Sequence, residues 1–377
     1  MSQHPLSGFK VVELARVLAG PWAGQILADM GAEVIKVESP AGDDTRGWGP
    51  PWFDNPDGSR DAAYYHATNR GKQSIVADFR KAEDLERVRA LIADADVVIE
   101  NFKVGGLVKY GLDYASLKDA HPALVYCSVT GFGQDGPLKD KPGYDLVAQA
   151  MSGIMDLTGP ADGPPMKIGV AYADIMTGLY AAIGIQSALL QRSRTGRGCQ
   201  VDIALFDSMV ATLANQAMNY LIGGVVPKRM GNRHPNVVPY EPFPTSDGWC
   251  VIAVGSDPQF ARLTQLLGLP DKPEWRTNGG RVDDYHALYA AIAERTKGYT
   301  RDDLLAELEA HTVPGAPINT VADALDDPHT AARGLRVDLE RADGASIPGI
   351  RTPIVFSDGE LKLETPSPRH GQDDDML

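Results

Sequence analysis

Cysteine is scarce: Cys127, Cys199 and Cys250 are the only three in 377 residues. Odd in number and far apart, they exclude a disulfide framework and every close-spaced zinc pattern, and they suit a reducing cytoplasm. Positive charge is also short, at 36 Lys and Arg against 50 Asp and Glu, a net charge of −14. Nucleic acid and anionic membranes demand basic faces, so neither is an expected partner. No stretch approaches about 18 uninterrupted apolar residues, so no bilayer span is expected. The opening MSQHPLSGFK lacks the apolar run of a signal peptide, which again points to the cytoplasm. The eight histidines form no HExxH and no paired spacing, so no metal site is predicted. No G-x-S-x-G elbow occurs and no cysteine sits in a nucleophile signature, which leaves a serine or thiol hydrolase unsupported.

What is present is enough apolar sequence, 43%, for packed cores, on a chain long enough for two domains. Short β-rich runs alternate with helical patterns through the first half. Strands are predicted at Lys10–Leu14, Glu33–Val37, Ser74–Phe79, Asp96–Ile99, Leu124–Val129 and 200–205. Helices are predicted from Pro21, at Ala82–Ala93, at Tyr172–Arg192 and as one run over Phe206–Ile222. This order argues for an α/β fold, a Rossmann-like large domain with a parallel sheet. Residues 223–248 contain four Gly and five Pro, a density that predicts a linker or long loop without a central strand. Beyond it, 249–325 reads as a smaller α+β domain with helices near 257–267, 285–296 and 301–310. Residues 326–377 are expected to return strands near 335–339 and 351–356 to the first sheet, which completes the domain begun by 1–222. The acidic end, Asp373–Asp375, reads as a solvated tail.

Two local patterns invite a functional reading. Gly131-Phe132-Gly133-Gln134-Asp135-Gly136 matches G-x-G-x-x-G after a strand, but Pro137 and the polar run to Pro142 cannot open the helix that a dinucleotide site requires. A plain glycine turn is expected. Asp174 lies among apolar neighbours at the start of a long helix. Composition favours an N-cap that accepts free amides; the sharper reading is a nucleophilic carboxylate held in a dry setting, and the two are not exclusive. The residues alone do not choose.

The motifs Arg16-Val17-Leu18-Ala19-Gly20-Pro21, GAEVIKVE at 31–38, Asp43-Asp44-Thr45-Arg46, Glu100-Asn101-Phe102, GFGQDGP at 131–137, Gly143-Tyr144-Asp145 and TGRG at 195–198 resemble the class III CoA-transferase family. The likeness runs from about residue 6 past 355 and implies an interlocked homodimer. It implies that Asp174 is the nucleophile, attacking an acyl-CoA thioester to give a mixed anhydride and then an aspartyl-CoA thioester. At its unperturbed pKa of about 3.9 such a carboxylate would need no separate base. The resemblance also implies that CoA, a substrate and not a resident cofactor, is met by Arg16, Val17, Leu18, Ala19, Ala77, Arg80, Asn101, Phe102, Lys103 and Lys109, with Tyr144 and Asp145. Residues 101–112 independently hold two lysines and no acid.

Departures narrow the expected substrate. Leu18, Ser39 and Thr130 stand where oxalate-specific members of the family carry Gln, Arg and Lys. Tyr144 stands where the racemases of the same fold carry His. A phenol of pKa about 10 suits enolisation poorly, so a racemase or isomerase is the alternative reading. TRGWGPP at 45–51, GPADGP at 159–164, NYLIG at 219–223 and VPYEPF at 238–243 resemble members acting on succinyl-CoA and glutarate. A dicarboxylate acceptor would want a cation for its distal carboxylate. Arg46, Arg233 and His234 are the candidates.

Overall fold

The computed structural model describes residues 4–376. The chain forms two compact units: a large one from residues up to Met155, Lys167–Gly224 and Pro328 onward, and a small one from Asp156–Met166 and Val225–Asp327.

The large unit is built on β1 (Lys10–Glu13), α1 (Ala19–Asp29), β2 (Glu33–Glu38), β3 (Lys72–Val76), α2 (Ala82–Ala93), β4 (Val97–Glu100), β5 (Val125–Thr130), α3 (Asp145–Met151), α4 (Tyr172–Thr195), β6 (Gln200–Ala204), α5 (Leu205–Ala211) and α6 (Ala214–Gly223). The six strands form one sheet in the order β3-β2-β1-β4-β5-β6. Every neighbouring pair is parallel. The central strands β4 and β5 are wholly buried, which is why VVIE and VYCSVT read as near-continuous apolar runs. Strand β3 begins two residues before its predicted start. Its Lys72 and Gln73 look like loop in the sequence, but Lys72 is buried with its Nζ 2.9 Å from the Glu13 carboxylate.

Glycine permits two close approaches that set the geometry around α1. A Cβ on Gly24 would fall 1.8 Å from a Glu13 carboxylate oxygen, so only glycine lets that acid sit beneath the helix. A Cβ on Gly178 would fall 2.7 Å from the Ala19 carbonyl oxygen, so α4 lies directly against the start of α1. Helix α4 is long and apolar enough, by length and composition, to cross a bilayer. Counting uninterrupted apolar residues misses it because Asp174, Thr177 and Gln186 interrupt the run. In this fold its Ala181, Ile185 and Leu189 are buried in the core.

The single helix expected over Phe206–Ile222 is two. Ala214, the first residue of α6, adopts φ +43°, and Thr212 Oγ1 donates to the Met209 carbonyl at 2.7 Å, competing with the helical ladder. No Gly or Pro marks the break.

The small unit holds a three-stranded antiparallel sheet in which β8 (Trp249–Ala253) lies between β7 (Tyr240–Pro244) and β9 (Gly315–Pro317). Helices Asp257–Leu267, Tyr285–Thr296 and Arg301–Ala310 bury Phe260, Leu263, Leu288, Ile292 and Leu304 against it. Strand β7 lies inside the segment expected to be loop. Its Pro242 and Pro244 are tolerated because β7 is an edge strand.

The C-terminal strands correct two expectations. Strands β10 (Arg336–Glu340) and β11 (Ser346–Ile350) pair antiparallel with each other and do not join the parallel sheet. The acidic end is not merely solvated. Asp373 Oδ2 accepts the Ser74 amide at 2.8 Å and Asp374 Oδ1 accepts the Val76 amide at 2.7 Å, which occupies the open edge at β3. An exposed edge is a template for association. The double variant Asp373→Ala/Asp374→Ala is therefore expected to lose about 2 kcal/mol in urea melts and to scatter more light on heating.

Candidate active site

In this strand order the chain leaves β1 and β4 in opposite directions, opening a crevice at their carboxyl ends. The loop after β1 carries Arg16, Val17, Leu18 and Ala19; the loop after β4 carries Asn101, Phe102 and Lys103. Asn101 joins the two. Its Oδ1 accepts the Arg16 amide at 3.0 Å and its Nδ2 donates to the Arg16 carbonyl at 2.6 Å. A cavity of about 540 Å³ opens there, and all seven of these residues line it together with Tyr144, Asp145 and Asp174.

Asp174 does not cap its helix. Ala171 is the cap residue of α4 and makes no side-chain cap, and Asp174 is the third residue of the first turn. The amides of Ala173 and Asp174 go to Asp145 Oδ2, at 2.7 and 3.4 Å. Asp145 is fixed in turn by a 2.6 Å hydrogen bond from Gln149 Nε2. The helix start is thus capped from outside, and among the described residues no hydrogen bond engages the Asp174 carboxylate. Burial, reinforced by the Asp145 charge, pushes the Asp174 carboxyl up to about 7. This corrects the expectation of a fully ionised acid at neutral pH. A helix N-terminus favours a carboxylate, but desolvation and a like charge outweigh it here.

The glycine turn explains the G-x-G-x-x-G match without a phosphate. A Cβ on Gly131 would lie 2.5 Å from the Gly143 Cα, and one on Gly143 would lie 2.3 Å from the Gly131 Cα. Backbone packs on backbone, which anchors Tyr144 and Asp145 to the end of β5. Gly133 and Gly136 take φ of +88° and +83°. The polar run beyond the turn brings Lys139 and Lys141 to the cavity wall. In the sequence that run speaks against a helix, but its two lysines beside a glycine turn are also a usable signal for an anion.

The other expected residues divide. Ala77 and Arg80 line an adjoining cavity of about 420 Å³ that shares Arg16 and Phe102 with the first. Phe79, Phe102 and Tyr110 line it too, with Phe79 and Phe102 stacked at 6.3 Å. Lys109 lines neither cavity; its ammonium rests 4.7 Å from the centroid of the Tyr110 ring. Arg46 is a correction. It is buried, its Nε and Nη2 donate to Glu38 at 2.8 and 2.7 Å, and its Nη1 donates to Asp61 at 2.9 Å. A guanidinium so engaged has no fork for a substrate carboxylate. Arg233 and His234 belong to the small unit. There Arg233 stacks on Tyr285 at 3.6 Å, and His234 Nδ1 accepts the amides of Asn236 and Val237.

Trp48 and Tyr64 were not foreseen. Trp48 lines the cavity with Asp174 and meets Tyr64 edge-on at 5.3 Å. Burial, with the charges of Asp174 and Asp145, pushes the Tyr64 phenol up to about 12. Its hydroxyl therefore stays a proton donor at any working pH.

A Rossmann-ordered sheet with a buried carboxylate, raised toward neutrality, in a crevice lined by both cations and carboxylates defines an α/β enzyme. The chain matches CoA-transferase family III over residues 6–374 and belongs to that family. It is 55% identical to a succinate–glutarate CoA-transferase of Agrobacterium fabrum, over 98% of this chain and 93% of the relative. It is 40% identical to the human succinyl-CoA:glutarate CoA-transferase, over 98% and 84%. A crystal structure of a CaiB/BaiF family protein from Brucella suis superposes with a TM-score of 0.89 at 58% identity, covering 100% of this chain and 98% of that one.

Proposed function

We propose that this enzyme moves CoA reversibly from succinyl-CoA to a dicarboxylate such as glutarate, with Asp174 as the nucleophile. The observation that carries the reading is the unengaged Asp174 carboxylate in a cavity that Lys103, Lys139, Lys141 and Arg16 share with Asp44, Asp140 and Asp145, Arg16 being paired with Asp44 at 2.9 Å. In an acidic protein these cations meet the anionic phosphates of CoA locally. Arg80 serves the adjoining cavity, where Phe79, Phe102 and Tyr110 offer an aromatic wall to the base.

Asp174 attacks the thioester carbonyl, forming a mixed anhydride and expelling the CoA thiolate. The thiolate attacks the aspartyl carbonyl, releasing succinate and leaving an aspartyl-CoA thioester. The acceptor carboxylate attacks that carbonyl, expelling CoA again. The thiolate then takes the acceptor acyl group and frees Asp174. Each leaving group is a carboxylate or thiolate, so alignment matters more than driving force. A pKa near neutrality makes the ionised Asp174 a stronger nucleophile than an ordinary carboxylate while leaving it partly ionised at pH 7.

With Arg46 committed elsewhere, Arg233 and His234 of the small unit remain the proposed cations for a dicarboxylate. The Arg233 Nε is buried without a partner among the described residues, which supports it. A cytoplasmic homodimer is the proposed assembly. On the large unit Ile183 and Leu190 of α4 and Met218, Tyr220, Leu221 and Ile222 of α6 are exposed, Ile222 to 81%, apolar surface suited to a second copy.

The test is CoA exchange followed by mass spectrometry, with succinyl-CoA and a panel of glutarate, oxalate, malate, itaconate and mesaconate. New acyl-CoA from glutarate, absent with Asp174→Ala, is expected. No exchange with any acid would overturn the reading. Deuterium wash-in at the α-carbon of a branched acyl-CoA would favour the racemase alternative instead. A second expectation concerns pH. The acid limb of kcat/KM should lie near pH 7 in the wild type. It should move down by roughly one unit in Asp145→Asn, because removing a like charge favours the Asp174 anion. An unmoved limb would assign the titration to another group.

A further inference from the structure

The loop that carries Arg16 to Ala19 contains a strained residue. Val17 adopts φ +73°, the left-handed region that a β-branched side chain disfavours. Holding it there costs on the order of 1–3 kcal/mol unless the surroundings enforce it. They do so through a chain of buried charges. Asp43 accepts the Val17 amide at 3.2 and 3.3 Å through its two oxygens. Asp43 is itself fixed by the amide and hydroxyl of Thr45, at 2.9 and 2.7 Å. Lys36 Nζ lies 2.8 Å from Asp43 and also donates to the Ala15 carbonyl, at 2.8 Å. On its other side Lys36 lies 3.2 Å from Glu13. Lys72 pairs with Glu13 at 2.9 Å and donates to the Pro21 carbonyl at 2.9 Å. All four side chains are almost completely buried.

The alternating chain Lys72–Glu13–Lys36–Asp43 therefore grips this segment from beneath at Ala15, Val17 and Pro21, while Asn101 grips it at Arg16. Removing one member of a buried ionic set leaves its neighbour uncompensated, so a cheaper polar arrangement or plain packing would serve if stability alone were at stake. Burial would push the Asp43 carboxyl up, but the Lys36 charge outweighs it and holds it below its usual range. Asp43 is thus ionised throughout the neutral range.

We infer that Asp43, charged by Lys36, is a positioning residue that enforces the strained Val17 conformation and so holds the Arg16–Ala19 loop in register with Asp174. The inference rests on the proposed CoA-transfer reading for the meaning of that register. It is tested by a double-mutant cycle between Asp43→Asn and Val17→Gly, because glycine reaches φ +73° without steric cost. In the wild-type background Asp43→Asn should lower kcat/KM by about 30-fold, the equivalent of the strain released. In the Val17→Gly background the same change should cost about threefold or less.

A merely structural Asp43 would lower Tm in both backgrounds and show full, additive losses, and that result overturns the inference. So does an Asp43→Asn enzyme with wild-type kcat/KM. If Asp43→Asn does not unfold cooperatively, Thr45→Val removes one of its supports while leaving the ion pair. Its loss, expected to be about threefold, must likewise vanish beside Val17→Gly. Wild-type exchange activity is measured alongside. If it is absent, the functional reading fails, and calorimetric binding of CoA takes over the cycle: Asp43→Asn must weaken it about tenfold, and Val17→Gly must absorb that loss.

Discussion

Asp174→Asn is expected to abolish CoA transfer, by roughly 10⁴-fold or more, and at the same time to raise the melting temperature above pH 7. The first effect follows from chemistry: an amide cannot form the anhydride. The second follows from linkage. The Asp174 carboxyl lies near 3.8 when exposed to water and near 7 in the fold, because burial and then the Asp145 charge disfavour its anion. Between those values the native state holds a proton that the unfolded chain has lost, so stability falls as pH rises through that window. Above pH 7 the whole penalty is present. After discounting for partial exposure it is on the order of 2 kcal/mol. Asparagine does not titrate and carries no such penalty. Melts of both proteins at pH 5 and pH 8 should show the variant gaining on the wild type at both, and by more at the higher pH, because only part of the penalty has accumulated at pH 5. Glu100, also pushed up to about 7 by burial, titrates in the same window in both proteins and cancels from the difference. A variant that gains equally at both pH values would place the origin of the effect in packing.

The parallel sheet was readable because its strands obey one rule, apolar runs between helical periods, and α2 lies at its predicted residues, Ala82–Ala93. The misplacements share a cause. Lys72 belongs to β3 only because Glu13 waits for it across two strands, a pairing invisible to local pattern. The return of Asp373 and Asp374 to β3 likewise depends on contacts, not on residue type. In the site the same division appears. Asp174 was identifiable by family motif, yet its ionisation was misjudged, because the second carboxylate, Asp145, is 29 residues away in the chain and meets it only through the fold. The glycine turn was correctly read as a turn, but the reason for two of its glycines, the backbone contact of Gly131 with Gly143, is tertiary.

Arg46 is where charge in the sequence misled most, and it yields the second large effect. Its guanidinium forks onto Glu38, reaches Asp61 and lies 3.6 Å over the Tyr65 ring, all within a buried pocket of the large unit. Burial alone would push the Glu38 carboxyl up, but Arg46 and then Lys36 hold it at about 2. Arg46→Ala leaves two buried carboxylates uncompensated and is expected to cost about 3–5 kcal/mol in urea melts. Arg46→Lys keeps one charge but loses the fork and the stacking, so about 2 kcal/mol is expected. The sign with pH is fixed by the depressed carboxyl. The stabilisation that Glu38 draws from Arg46 is complete above about 4.5, its ordinary value, and drains away as pH falls toward 2. The gap between wild type and Arg46→Lys should therefore close on acidification. At neutral pH and well below its melting point, Arg46→Lys should keep the wild-type KM for the acceptor acid. A KM raised tenfold with no loss of stability would return Arg46 to the substrate and undo the assignment made from its buried partners.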